Sequence, residues 1–113
     1  MKIKILSISR DEDFKSILKG EKISNKYVTL FYKRITSKYK SILKVCFVTK
    51  KKIGNAVLRN KIKRRLRNIM KESIKEINYN LEYSYLFIAK KNVSDDKYKL
   101  IKKIIFNDLK KIK

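Results

Sequence analysis

The densest chemistry in this chain lies in residues 50–67, Lys-Lys-Lys-Ile-Gly-Asn-Ala-Val-Leu-Arg-Asn-Lys-Ile-Lys-Arg-Arg-Leu-Arg, where nine of eighteen side chains are cationic. Apolar residues are kept at Ile53, Val57, Leu58, Ile62 and Leu66, a spacing that a disordered basic tail would not maintain. With Leu58 at zero and 100° per residue, Leu58, Ile62, Leu66 and Ile69 fall within roughly 0–80°, and Arg59, Asn60, Lys63, Arg64, Arg67 and Lys71 within roughly 100–240°. An apolar face and a cationic face are thus separated on one helix. Like charges four residues apart, as in Arg59–Lys63–Arg67, repel by roughly a few tenths of a kcal/mol each. A helix selected only for stability would interleave acids, and none lies between Lys50 and Lys71.

A rigid array of cations suits a regular polyanion, above all nucleic acid. Arginine brings forked phosphate contacts and stacking. Asn60 can hydrogen-bond a base edge or a ribose hydroxyl. The helix N-terminus, with Asn55 as its expected cap and Lys51 and Lys52 just before it, adds an attraction for anions. The competing reading is a solvated charged face, and the segregation and missing acids weigh against it. Lys61 and Arg65 lie on the opposite flank, where they can snorkel.

No comparable set of residues points to catalysis within the chain. There is no His, so no ordinary general base works near neutral pH. The ten acids fall at expected helix starts, on helix faces or in loops. Asp11–Asp13 could bind a metal ion, but acids in a first helical turn complement the helix dipole, and Asp95-Asp96 reads the same way. No catalytic residue, metal site or bound cofactor is expected. Cys46, the single cysteine, reads as a small core residue and precludes a disulfide framework. No segment approaches the roughly 20 apolar residues of a membrane span, and the N-terminus lacks a signal-peptide core. The expectation is a cytoplasmic protein with no membrane partner.

The elements that must carry these residues follow from periodicity. The 113 residues fit one domain, 1–113, and the net charge of +22 is extreme for that size. Ser9 to Glu12 has capping-box spacing before Phe14, Ile17 and Leu18, predicting a helix over 10–19 closed by Gly20. Residues 26–35 alternate, with Val28, Leu30 and Tyr32 on one side and Tyr27, Thr29, Phe31 and Lys33 on the other. Residues 42–49 form a second strand, and the short link predicts an antiparallel hairpin. Residues 50–53 read as a short edge strand, and the basic helix follows to residue 77. Residues 84–90, apolar through their centre, read as an interior strand. Ser94 caps a last helix with a stripe at Tyr98, Ile101, Ile105, Leu109 and Ile112. The sum is an α+β domain in the order αβββαβα, a roughly four-stranded sheet with three helices.

Lys51-Lys52-Ile53-Gly54-Asn55-Ala56-Val57, then Arg59-Asn60-Lys61-Ile62-Lys63-Arg64 and Arg67, resembles the conserved box of the bacterial ribonuclease P protein subunit, roughly K-K-x-G-N-A-V-x-R-N-R-x-K-R-x-x-R. The match is ungapped over the box, and Glu12-Asp13-Phe14 is similar to the family's first helix. Two positions depart from the pattern: Lys61 stands for Arg, and Arg65 stands where an apolar residue is frequent, suggesting a more exposed helix edge. The resemblance implies a four-stranded sheet with a left-handed crossover carrying the basic helix. It also implies a division of labour. An RNA subunit cleaves precursor tRNA with bound Mg²⁺, and the protein binds that RNA and the substrate.

The RNA-binding set expected from spacing and resemblance together is Lys51, Lys52, Asn55, Arg59, Asn60, Lys63, Arg64 and Arg67. A groove for the single-stranded 5′ leader is expected at Phe14, Tyr27 and Phe31, whose alternative role is core packing. The alternative function is a small structural RNA binder such as a ribosomal protein. DNA is not expected, because the helix that would precede the basic one in a helix-turn-helix is missing.

Overall fold

The computed structural model describes residues 4–7, 11–34, 42–77 and 83–112, with side chains described for 15–34, 43–77 and 83–112. In chain order the elements are β1 (Lys4–Ser7), α1 (Asp11–Leu18), β2 (Glu21–Ser24), β3 (Val28–Arg34) and β4 (Ile42–Val48). A 3-10 turn (Lys51–Ile53) leads into α2 (Ala56–Glu76), followed by β5 (Tyr83–Ala89), α3 (Asn92–Asp95) and α4 (Tyr98–Lys110).

The fold is organised around β5. Tyr85, Leu86, Phe87 and Ala89 are all buried, and a strand with apolar residues on both faces needs cover above and below and a neighbour on each edge. Antiparallel β3 lies on one edge and parallel β4 on the other. Outside them, β2 pairs antiparallel with β3, and β1 pairs parallel with β4, giving the order β1-β4-β5-β3-β2.

The α+β class expected from periodicity stands, but the pairing does not follow chain order. The antiparallel hairpin expected of β3 and β4 is absent, because β5 inserts between them and satisfies the inner edges of both. Residues 50–53 form a 3-10 turn rather than an edge strand. The outer place beside β3 is taken by β2, and β1 adds a further edge. Ser94 does not cap α4. It lies within the four-residue α3, where its hydroxyl donates to the Lys91 carbonyl at 2.8 Å. Parallel β4 and β5 are joined through α2, which is the crossover connection.

The two faces of the sheet are covered unequally. Val28, Leu30, Tyr85, Phe87, Ala89, Leu43 and Val45 share one buried cluster with Ile62, Leu66, Ile69 and Met70 of α2 and with Ile101, Ile105 and Leu109 of α4. On the other face, among the described residues, the eight-residue α1 lies against β3 and β5. Ile17 and Leu86 are fully buried there, while Thr29, Phe31, Cys46, Val48 and Ile88 remain half-buried. Gly20 lets α1 sit that close. A Cβ at this position would lie 2.5 Å from the Tyr32 carbonyl oxygen and 2.8 Å from the Lys33 Cβ. The Lys33 ammonium closes the contact by donating to the Ser16 hydroxyl at 2.9 Å.

Candidate nucleic-acid interface

The basic helix begins where the sequence places it. The Asn55 side-chain oxygen accepts from the Leu58 amide at 3.0 Å, so this member of the expected RNA-binding set has a capping role. Ile62, Leu66 and Ile69 are buried, as their angular positions require. Asn60, Arg64, Arg67 and Lys71 are exposed, and Arg59 and Lys63 are half-buried. Among the described residues, none of the three ion pairs involves these cations: Asp96, Glu72 and Asp108 take Lys26, Lys102 and Lys111. Val57 is not core. At 78% exposure it adds an apolar surface beside the helix N-terminus.

The opposite flank of α2 behaves differently. One Arg65 terminal nitrogen donates to the carbonyls of Val93 and Asp96, each at 2.8 Å, and Lys61 donates to the Ser94 carbonyl at 3.3 Å. Arg65 is half-buried, so the expected exposed edge is instead a clamp on the segment between β5 and α4. The same segment is tied to the turn before β3 through Asp96, which accepts from the Tyr27 hydroxyl at 2.7 Å and pairs with Lys26 at 3.1 Å. The bond to Asp96, followed by burial, pushes the Tyr27 hydroxyl up to about 12, and the bonds from Tyr27 and Lys26 hold the Asp96 carboxyl below its ordinary range.

These contacts correct the place of Tyr27. It is fully buried and offers no ring to a groove. Alternation does not reach it, because β3 begins at Val28. Tyr27 sits in a turn held by the Asn25 side-chain oxygen, which accepts from the Tyr27 and Val28 amides at 2.7 and 2.9 Å. Phe31 is half-buried on the less covered sheet face, paired across from Lys22 on β2 and Leu86 on β5. Phe14 belongs to the backbone of α1, and its side chain lies outside the described residues.

At the end of that same face is an open depression of about 400 Å³. Thr29, Ile53, Ile88 and Ala89 give it an apolar floor, and Lys50, Lys52, Lys90 and Lys91 rim it. Of these, only Lys52 was expected as an RNA-binding residue; Lys51 is exposed on the same turn. Lys50 is a near neighbour of Lys52 in the chain, whereas Lys90 and Lys91 come from a distant segment. The Lys90-Lys91 doublet ending an apolar strand was the one local signal. Lys90 also donates to the Ser24 hydroxyl and the Asn25 carbonyl, which fixes its stem against the β2–β3 turn. The Cys46 thiol on this face is pushed up by burial, against the opposing pull of Lys63.

Of the acids that could have suggested chemistry, Asp96 is held by Tyr27 and Lys26, and the side chains of Asp11 to Asp13 lie outside the described residues. Glu72 accepts from the Tyr98 hydroxyl at 2.6 Å, and Asp108 accepts from the Asn25 amide at 2.7 Å. Among the described residues, no group of three His, Cys, Asp or Glu side chains could hold a metal ion, and no helix is long and apolar enough to cross a membrane. What the geometry can do is bind: a cationic helix face borders a half-open, partly apolar sheet face rimmed with ammonium groups.

Comparison with known proteins agrees with this reading. Residues 4–113 match the family model for ribonuclease P. The chain is 35% identical over 107 residues to the ribonuclease P protein component of Mycoplasma capricolum, with 94% of each chain covered. Its structure resembles the ribonuclease P protein of Staphylococcus aureus at a TM-score of 0.73 and 29% identity, covering 94% of this chain and 93% of the other. The Thermotoga maritima protein, at 24% identity, shares the fold at a TM-score of 0.79, covering 96% of this chain and 98% of the other. The relatives span nearly the whole chain, and on that ground it belongs to the family of bacterial ribonuclease P proteins, the protein subunits of that endoribonuclease.

Proposed function

We propose that this subunit serves the holoenzyme by holding two stretches of RNA at once while contributing no reactive group of its own. Arg59, Lys63, Arg64 and Arg67, with Asn60, bind the ribonuclease P RNA or the precursor tRNA near the cleavage site. The groove between α1 and the sheet, floored by Phe31 and Thr29 and continued by the lysine-rimmed depression, holds the single-stranded 5′ leader of precursor tRNA. The Mg²⁺ that drives hydrolysis is held by the RNA subunit. The setting for this work is the cytoplasm. The ribosomal-protein alternative gives way to the family match.

The observation that carries the reading is the half-open sheet face. A face meant only for packing would be closed, and a face meant only for solvent would not be floored by Phe31, Ile88 and Val48. A partly buried apolar floor rimmed by cations is the pattern that binds an extended single strand, by stacking at roughly 1–3 kcal/mol per base and by phosphate contacts. Two variants test it. Phe31→Ala should weaken holoenzyme binding to precursors with a leader and spare leaderless tRNA. Arg64→Ala with Arg67→Ala should weaken binding to RNA of every leader length and flatten its salt dependence by about one unit of slope per lost phosphate contact. A uniform effect of Phe31→Ala across leader lengths, or an unchanged salt slope in the arginine pair, would refute the corresponding half.

A further inference from the structure

Arg65 lies on the flank of α2 away from the cationic face and outside the expected RNA-binding set. In this chain its guanidinium ends on the Val93 and Asp96 carbonyls, at the close of a helix of only four residues. The last carbonyls of a helix lack partners within it, and a cation there satisfies them and complements the dipole. Lys61 adds a second donor one turn earlier on α2, to Ser94.

The clamped segment is the one that carries half of the depression's rim. The amides of Val93 and Ser94 donate to the carbonyls of Lys90 and Lys91 at 3.2 and 2.9 Å. The Lys90 amide donates to the Tyr27 carbonyl at 2.8 Å, and the Tyr27 hydroxyl returns to Asp96. Lys90, Lys91 and the carbonyls held by Arg65 therefore belong to one short hydrogen-bonded loop. With an apolar side chain at position 65, Lys61 would be the remaining side-chain donor from α2 to that loop among the described residues.

We infer that Arg65 is a positioning residue for leader binding: by fixing residues 90–96 against α2, it sets where the Lys90 and Lys91 ammonium groups meet leader phosphates. This rests on the leader reading given above, and the test separates the two. Holoenzyme reconstituted with the matching RNA subunit is titrated with precursor tRNA carrying a long leader and with leaderless tRNA, and the ratio of the two affinities is the leader gain. Arg65→Leu should lower that gain by about threefold to tenfold. It should raise KM for the leader substrate with kcat little changed, and leave leaderless affinity in place. Arg65→Lys should recover most of the gain. Arg65→Met, which keeps a long stem and removes the donors, carries the same test if the Leu variant fails to fold.

Lys90→Ala combined with Lys91→Ala should remove much of the gain and make Arg65→Leu silent when added. If the lysine pair leaves the gain intact, the leader does not use this depression, and both readings fall. If the lysine pair lowers the gain but Arg65→Leu does not, the positioning role alone is overturned. It is overturned too if Arg65→Leu weakens long-leader and leaderless substrates equally, or keeps its full effect without the two lysines.

Discussion

The two faces of the sheet use the same strands to opposite ends. On one, Leu30, Val45, Tyr85 and Phe87 lie beneath α2 and α4, helices of 21 and 13 residues, and exposure falls to 1%. On the other, α1 has eight residues and buries Leu86, but it leaves Phe31, Thr29, Val48 and Ile88 partly open. Alternating residues of a single strand thus lie in two physical situations, set by how much helix covers each side. The difference shows where stability and binding reside. The closed face holds the core cluster, and ammonium groups gather around the open one, where cover is incomplete.

Substitutions of one aromatic from each face are the strongest way to break this comparison. Phe87, stacked on Phe47 with ring centres 5.4 Å apart, is core. Phe87→Ala should cost roughly 3–5 kcal/mol of stability with no leader-specific loss. Phe31→Ala should cost clearly less, and its main effect should be on leader binding. Denaturant unfolding of the two variants side by side decides this, and equal losses would make both faces core.

A smaller effect is expected at Gly20. An added Cβ meets the Tyr32 carbonyl, which cannot turn aside as a flexible side chain would, so Gly20→Ala should push α1 away at about 1–3 kcal/mol. The open face should widen and the closed face should not change, which hydrogen exchange of β3 and β5 against that of α2 would register.

Part of this was legible in the sequence. The 100° spacing of Leu58, Ile62, Leu66 and Ile69 fixed which side of α2 is buried, because a helix is a local object. The apolar centre of β5 announced an interior strand for the same reason. Which strands flank it is a long-range matter, and nothing in β3 or β4 reveals that β5 will come between them. The four-residue strands β1 and β2 are too short for alternation to show. Tyr27 misled because period two was extended two residues beyond the true strand start. The depression was hidden for a different reason: residues 29, 50–53 and 88–91 meet only in three dimensions.

The smallest effect concerns the tie between the closed face and the loop at residues 90–96. Asp96, with its carboxyl held low, contributes stability present above its ordinary value of about 4 and lost as pH falls through the lower folded value. Tyr27, raised to about 12, contributes stability fully present below about 10 and lost as pH rises towards 12. The stability advantage of the wild type over Tyr27→Phe should therefore be flat from pH 5 to 9, shrink between about 10 and 12, and shrink again below about 4. Comparing the two proteins cancels the lysine titration they share. A constant difference across the whole range would contradict the Tyr27–Asp96 bond.

The central claim is that this chain assists an RNA catalyst and is not one itself. Its most direct test is cleavage of precursor tRNA at low Mg²⁺ by the matching RNA subunit, with and without the protein, and by the protein alone. The account predicts cleavage by the RNA that rises strongly when the protein is added, and none by the protein alone. Mg²⁺-dependent cleavage by RNA-free protein, or an RNA subunit indifferent to its presence, would contradict it.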